Sequence, residues 1–216
     1  MRKTAALLAA AALARGAIAD YQPPMKNPVT DYDRQLVAAA VALPSAPSFG
    51  EGDWLLVVST RDQRLAAARM AGGAFEVVAV YTVSTARAGV GAEADSGKTP
   101  PGWHRVAEWI GGDAVPGQVF VSRHPTEEII PYPDWRSDLS ADKVLTRIMW
   151  LDGLEPGRNK GPGVDSHDRF IYLHGTNQEH LLGQPASHGC IRLFNRDVME
   201  LYAFTEGHPA YCLVLR

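Results

Sequence analysis

Ser187-His188-Gly189-Cys190-Ile191-Arg192 sets a cysteine directly after a glycine in a polar turn. His174 stands sixteen residues upstream, at the end of a strand-like run over residues 170–173. Cysteine with histidine is the smallest set that performs thiolate chemistry. The thiolate attacks, and a neighbouring imidazole takes the proton and later returns it to a leaving group. Gly189 lets the backbone turn tightly and keeps a side chain out of the path of an incoming carbonyl. The backbone N–H groups of Gly189 and Cys190 are candidates to hold an oxyanion.

The neighbours of this pair carry competing readings. Arg192 brings a guanidinium close to the nucleophile and suits a substrate carboxylate, which Arg grips through two parallel hydrogen bonds. The alternative is a salt bridge to a nearby acid such as Asp197. His188 either competes as base or hydrogen-bonds to hold the turn, and the second role is favoured. Ser187 is expected to stabilise the loop or to touch substrate through its hydroxyl. Tyr172 either lines the cleft or belongs to the core. Cys212 lies in the alternating stretch 211–215 and reads as a small buried hydrophobe, with a Cys190–Cys212 disulfide as the competing reading for an exported chain. His174, His188 and Cys190 as zinc ligands fit less well, because the spacing is neither Cys-x-x-Cys nor His-x-x-x-His and no fourth ligand is evident.

These residues need a scaffold, and the pattern upstream is β. Residues 54–60 and 75–83 are β-branched and apolar runs, with residues 64–70 pairing back between Gly and Asp turns as an antiparallel meander. Further strands are expected at 103–108, 119–122 and 210–215, and residues 145–150 read as strand or buried helix. Residues 124–142 and 153–168 read as irregular loops. Asn195 is placed to cap a helix over 196–204.

The first nineteen residues have the layout of a secretory leader: Arg2 and Lys3, an Ala- and Leu-rich run over 4–14, then Ala17-Ile18-Ala19. The apolar run is too short to span a bilayer, so no stable membrane span is expected after cleavage. Residues 20–50 read as a Pro-rich linker holding one short amphipathic helix at 31–42, and residues 51–216 as one domain. Without the leader's three cations the chain carries 18 Lys+Arg against 24 Asp+Glu, a balance that argues against nucleic acid as a partner.

His174-Gly175-Thr176-Asn177, Gly183 and Ser187-His188-Gly189-Cys190-Ile191-Arg192-Leu193 together resemble the signature of the L,D-transpeptidase catalytic domain (YkuD-like) of exported bacterial proteins. The resemblance continues upstream through Val83-Ser84-Thr85, Gly89, Lys98-Thr99-Pro100-Pro101-Gly102 and residues 151–157, and so covers roughly residues 53–216. It implies a mainly β fold, a β-sandwich of mixed sheets with one C-terminal helix and long loops, and neither cofactor nor metal. It implies Cys190 as nucleophile, His174 as base and the Gly175 carbonyl as the group that orients the imidazole. The implied partners are peptidoglycan stem peptides in the periplasm or cell envelope, with Arg192, Ser187, His188 and Tyr172 left to contact them. Cys190 would attack between the third and fourth stem residues, release D-alanine and pass the acyl group to an amine as a 3→3 cross-link. Other outcomes on the same scaffold are an L,D-carboxypeptidase or wall-peptide hydrolase, attachment of a lipoprotein lysine, or a non-catalytic peptidoglycan-binding domain.

Overall fold

The computed structural model describes residues 26–136 and 141–216. The leader expected at 1–19, the first residues of the expected linker and part of the loop expected at 124–142 lie outside the described residues.

Strand β1 (Trp54–Ser59) is buried along its whole length because both of its faces are covered. Trp54, Leu56 and Val58 point into one core, and Leu55 and Val57 into another. On one side β1 pairs antiparallel with β2 (Arg64–Ala71), which turns back into β3 (Ala74–Ser84). On the other it pairs parallel with the last strand, β10 (Ala210–Leu215). The remaining strands are β4 (Gly102–Ile110), β5 (Gln118–Val121), β6 (His124–Ile129), β7 (Val144–Gly153), β8 (Tyr172–Thr176) and β9 (Ile191–Leu193). They form one ten-stranded mixed ladder in the order β4-β10-β1-β2-β3-β9-β8-β7-β5-β6. The additional pairing of β4 with β7 closes the ladder into a ring, from which β5 and β6 branch. The expected mainly β architecture of mixed strands is therefore present, and its two cores lie on the two faces of one continuous sheet.

Two helices cover those cores. Helix α1 (Asp31–Val41) starts in a capping box between Thr30 and Asp33 and buries Val37 and Ala40 against the outer core. The buried Asp33 carboxylate pairs with Arg64 at 3.0 Å. Helix α2 (Asn195–Thr205), the expected C-terminal helix, buries Val198, Leu201 and Tyr202 in the core inside the ring. Its start differs from the expectation: Phe194 is the cap residue, and the Asn195 side chain makes no cap bond. That side chain turns inward, donating to the Thr176 carbonyl (2.7 Å) and Glu179 (3.0 Å) and accepting from the Thr146 hydroxyl (2.5 Å). The Glu179 carboxylate takes over at the helix start, accepting the Asn195 N–H at 2.8 Å, where an anion also suits the helix dipole. Among the described residues no helix is long and apolar enough to cross a membrane.

Around the site the structure changes two local expectations and decides between the two readings of a third. Residues 124–129 form edge strand β6 despite Pro125, which an edge tolerates because it leaves an N–H unpaired. Residues 144–153 are strand, not helix, and bend at a bulge where Thr146 takes φ +72. The strand carrying His174 begins at Tyr172, so His174 lies inside it, while Phe170 sits before it at φ +56.

Candidate active site

Strands β8 and β9 are joined in parallel, with Leu173 opposite Ile191 and His174 opposite Arg192. Side chains alternate, so Leu173, Ile191 and Leu193 fill the inner core while Tyr172, His174 and Arg192 face the other side. Cys190 ends the turn that feeds β9 and packs on that same outer side, against the cluster of Phe120, Ile148, Trp150 and Tyr172. Sixteen residues of chain thus return the cysteine to the face that carries the histidine. Both cysteines are free thiols, and Cys212 is fully buried in the inner core.

The imidazole is fixed by its own strand. His174 Nδ1 lies 2.7 Å from the Gly175 carbonyl oxygen. A carbonyl only accepts, so the proton sits on Nδ1 and Nε2 keeps its lone pair. Gly175 must be glycine for this to happen: a Cβ there would lie 2.2 Å from Asn195 Oδ1. Gly189, at φ +135, holds the turn in a conformation that other residues rarely adopt. Ser187 bridges that turn, donating to the Cys190 carbonyl at 2.6 Å and accepting a long bond from the Gly189 N–H at 3.3 Å.

The resting charge state follows from burial. His174 is almost completely buried, and burial holds its pKa below the ordinary imidazole value, against the pull of Asp142 and the Gly175 carbonyl. Cys190 keeps partial exposure as a residue, yet enough protein surrounds its sulfur that burial pushes the thiol up to about 11. The Tyr172 backbone N–H, Arg192 and Arg169 oppose that rise, and Asp142 adds to it. The thiol donates to the Phe170 carbonyl at 3.4 Å. Thiol and imidazole are therefore both neutral at rest.

Arg192 lies beneath the site rather than on its surface. It is fully buried, with Nη2 2.7 Å from Asp142 and 3.0 Å from the Ala186 carbonyl, and Nη1 3.1 Å from Gln178. Its acid is Asp142, fifty residues away in sequence, not Asp197. His188 is largely exposed, and its nearest acid is also Asp142, at 3.8 Å. The turn is held by Ser187, not by His188. Tyr172 is buried in the aromatic cluster beside Cys190. Among the described residues no group of His, Cys, Asp or Glu side chains is arranged to hold a metal ion. Asp142, Trp150 and Phe170 join the site without any signal in the motif. A non-glycine residue at positive φ, as at Phe170, cannot be read from its type.

At pH 7 only about 10⁻⁴ of a thiol titrating near 11 is ionised. Alkylation of Cys190 by iodoacetamide, followed by intact mass, is therefore expected to speed up about tenfold per pH unit from pH 7 to 9. A rate that stays flat over this range would instead reveal a preformed thiolate–imidazolium pair. Cys212, buried and pushed up to about 12, should remain unlabelled in the folded chain.

Comparison with known proteins bears on this geometry. The L,D-transpeptidase catalytic domain (YkuD) family matches residues 53–210. The candidate L,D-transpeptidase YqjB of Bacillus subtilis is 31% identical over 94 residues, 41% of this chain and 53% of that protein. The candidate L,D-transpeptidase YkuD of Bacillus licheniformis is 31% identical over 70 residues, 29% of this chain and 42% of that protein. The matched regions thus span about half the length of these relatives. The crystal structure of L,D-transpeptidase 3 from Mycobacterium tuberculosis aligns with a TM-score of 0.44 at 16% identity, over 76% of this chain and 61% of that one. With the match running from the residue before β1 to the first residue of β10, this chain belongs to the L,D-transpeptidase catalytic domain family.

Proposed function

We propose that the chain is a peptidoglycan L,D-transpeptidase that works through a cysteine acyl-enzyme. The observation that carries this reading is the 2.7 Å contact between His174 Nδ1 and the Gly175 carbonyl, which leaves Nε2 as a proton acceptor on the face that holds Cys190. Cys190 Sγ attacks the carbonyl between the third and fourth residues of a tetrapeptide stem, and its proton passes to His174 Nε2. The Cys190 N–H receives the oxyanion, joined by the Gly189 N–H once its long bond to Ser187 gives way. The C–N bond breaks, His174 returns the proton to the departing amine of D-alanine, and a thioester remains. An amine on a second stem then attacks the thioester, loses a proton to His174 and restores the thiol, leaving a 3→3 cross-link. The reading sets this reaction in the periplasm or cell envelope, where the leader-like residues 1–19 would deliver the chain.

Labelled tetrapeptide stems test the proposal. Purified chain is expected to release D-alanine and to form cross-linked dimers. D-Alanine with free tripeptide and no dimer would overturn transpeptidation in favour of hydrolysis. Neither product would overturn the enzymatic reading.

A further inference from the structure

The turn between β5 and β6 is two residues long, Ser122-Arg123, and closes on the pair Val121–His124. Both residues take positive φ, +49 and +70, a turn geometry that glycine and asparagine usually fill. Strained non-glycine backbone of this kind gathers at functional sites. Here it aims one side chain. The Arg123 guanidinium carbon lies 4.4 Å from the centre of the Trp150 ring and 4.9 Å from that of Phe170. Its Nη1 donates to the Tyr172 hydroxyl at 3.3 Å. Trp150 is itself held by a bond from its indole N–H to the His167 carbonyl and by stacking on the His167 ring at 3.8 Å.

These contacts tie the cation to two residues that border the nucleophile. Phe170, under the guanidinium, offers its carbonyl to Cys190 Sγ, and Tyr172 packs in the cluster that the cysteine touches. The two rings, their own centres 5.8 Å apart, approach the guanidinium from neighbouring directions, and the bond to Tyr172 takes one of its five N–H donors. Among the described residues Arg123 forms no ion pair; Glu108, on the wall of the same cavity, lies nearest His167 at 3.9 Å. That cavity measures about 780 Å³ and is lined by Arg123, Trp150, Phe120 and Gln118 among others. Arg192, the cation suggested by the motif, is by contrast buried and paired with Asp142.

We infer that Arg123, packed against Trp150 and Phe170, which border Cys190, binds the free carboxylate that ends the acyl-donor peptide and so selects donors whose last residue is the one released. The inference rests on the transpeptidase reading. A carboxylate on the leaving residue is one Cα from the scissile nitrogen, and Arg123 lies on the ring of Phe170, the residue whose carbonyl accepts from Sγ. A planar fork of donors, oriented by its aromatic contacts, suits that group better than the compact ammonium of lysine.

The test is single-turnover acylation of the full chain, read by intact mass. It compares a tetrapeptide ending in free D-alanine with the same peptide ending in D-alanine carboxamide. Wild type is expected to react about 10- to 100-fold faster with the acid. Arg123→Ala should slow the acid by that factor and bring the acid-to-amide ratio to about one, and Arg123→Lys should restore only part of it. The amide reaction of each variant also shows that its fold and nucleophile survive. Equal rates on both peptides in wild type, or an equal loss on both in Arg123→Ala, would overturn the role of Arg123 alone. No acyl-enzyme from either peptide in wild type would instead overturn the transpeptidase reading on which this role depends.

Discussion

Cys190→Ala is expected to cut turnover of tetrapeptide stems by at least about 10⁴-fold and to eliminate the acyl-enzyme from mass spectra. The loss is this large because neither the second cysteine nor the neighbouring serine is placed to replace the sulfur. Cys212 lies on the opposite side of the sheet, fully buried. Ser187 has its hydroxyl committed to the Cys190 carbonyl at 2.6 Å. The fold should tolerate the change, since Cys190 only borders the aromatic cluster and keeps partial exposure; a stability loss of about 1 kcal/mol is the scale for such a truncation. Thermal melting separates the two effects. A covalent adduct surviving in Cys190→Ala would remove the cysteine from the mechanism.

His174→Ala should lower turnover by about 10²- to 10⁴-fold, the usual range for a positioned acid–base. The pH profile gives the sharper reading. His174 must be neutral to accept the thiol proton, and burial keeps its pKa below the ordinary imidazole value. Wild-type activity should therefore hold from alkaline pH down through about 6.5 and fall only in more acid solution. Without the imidazole, attack depends on free ionisation of a thiol that titrates near 11. The residual rate of His174→Ala should then climb about tenfold per pH unit between 7 and 9. Because His174 is buried, His174→Gln serves as a second variant that fills more of the space. Parallel pH profiles for wild type and both variants would show that His174 does not carry the proton.

The parts of the site that were legible are those in which local sequence dictates local geometry. Gly189 next to Cys190 announces a tight turn, and the structure has it at φ +135. Gly175 follows His174, and the resemblance that assigned its carbonyl to the imidazole points to the 2.7 Å contact present here. Strands β1 and β3 were evident from their β-branched runs, because a strand buried on one or both faces needs those side chains. What escaped were partners distant in sequence. Arg192 meets Asp142 only because β7, β8 and β9 lie side by side in the ladder. Asn195 looked like a helix cap, but Glu179, Thr176 and Thr146 are buried around it and compete successfully for its amide. Strand β6, with Pro125 and its acidic residues, has no strand signature of its own and exists because β5 offers it an edge.

Sequence alone determined which atoms are the candidates to react, since a thiol, an imidazole and two glycines are properties of residues and of their immediate neighbours. Tertiary structure decided their electrostatic state and their surroundings. Desolvation raises the thiol and lowers the imidazole only once strands from across the chain have enclosed them. The same closure buries Arg192 against Asp142 and brings Arg123 against Trp150 and Phe170, contacts that no local sequence pattern announces.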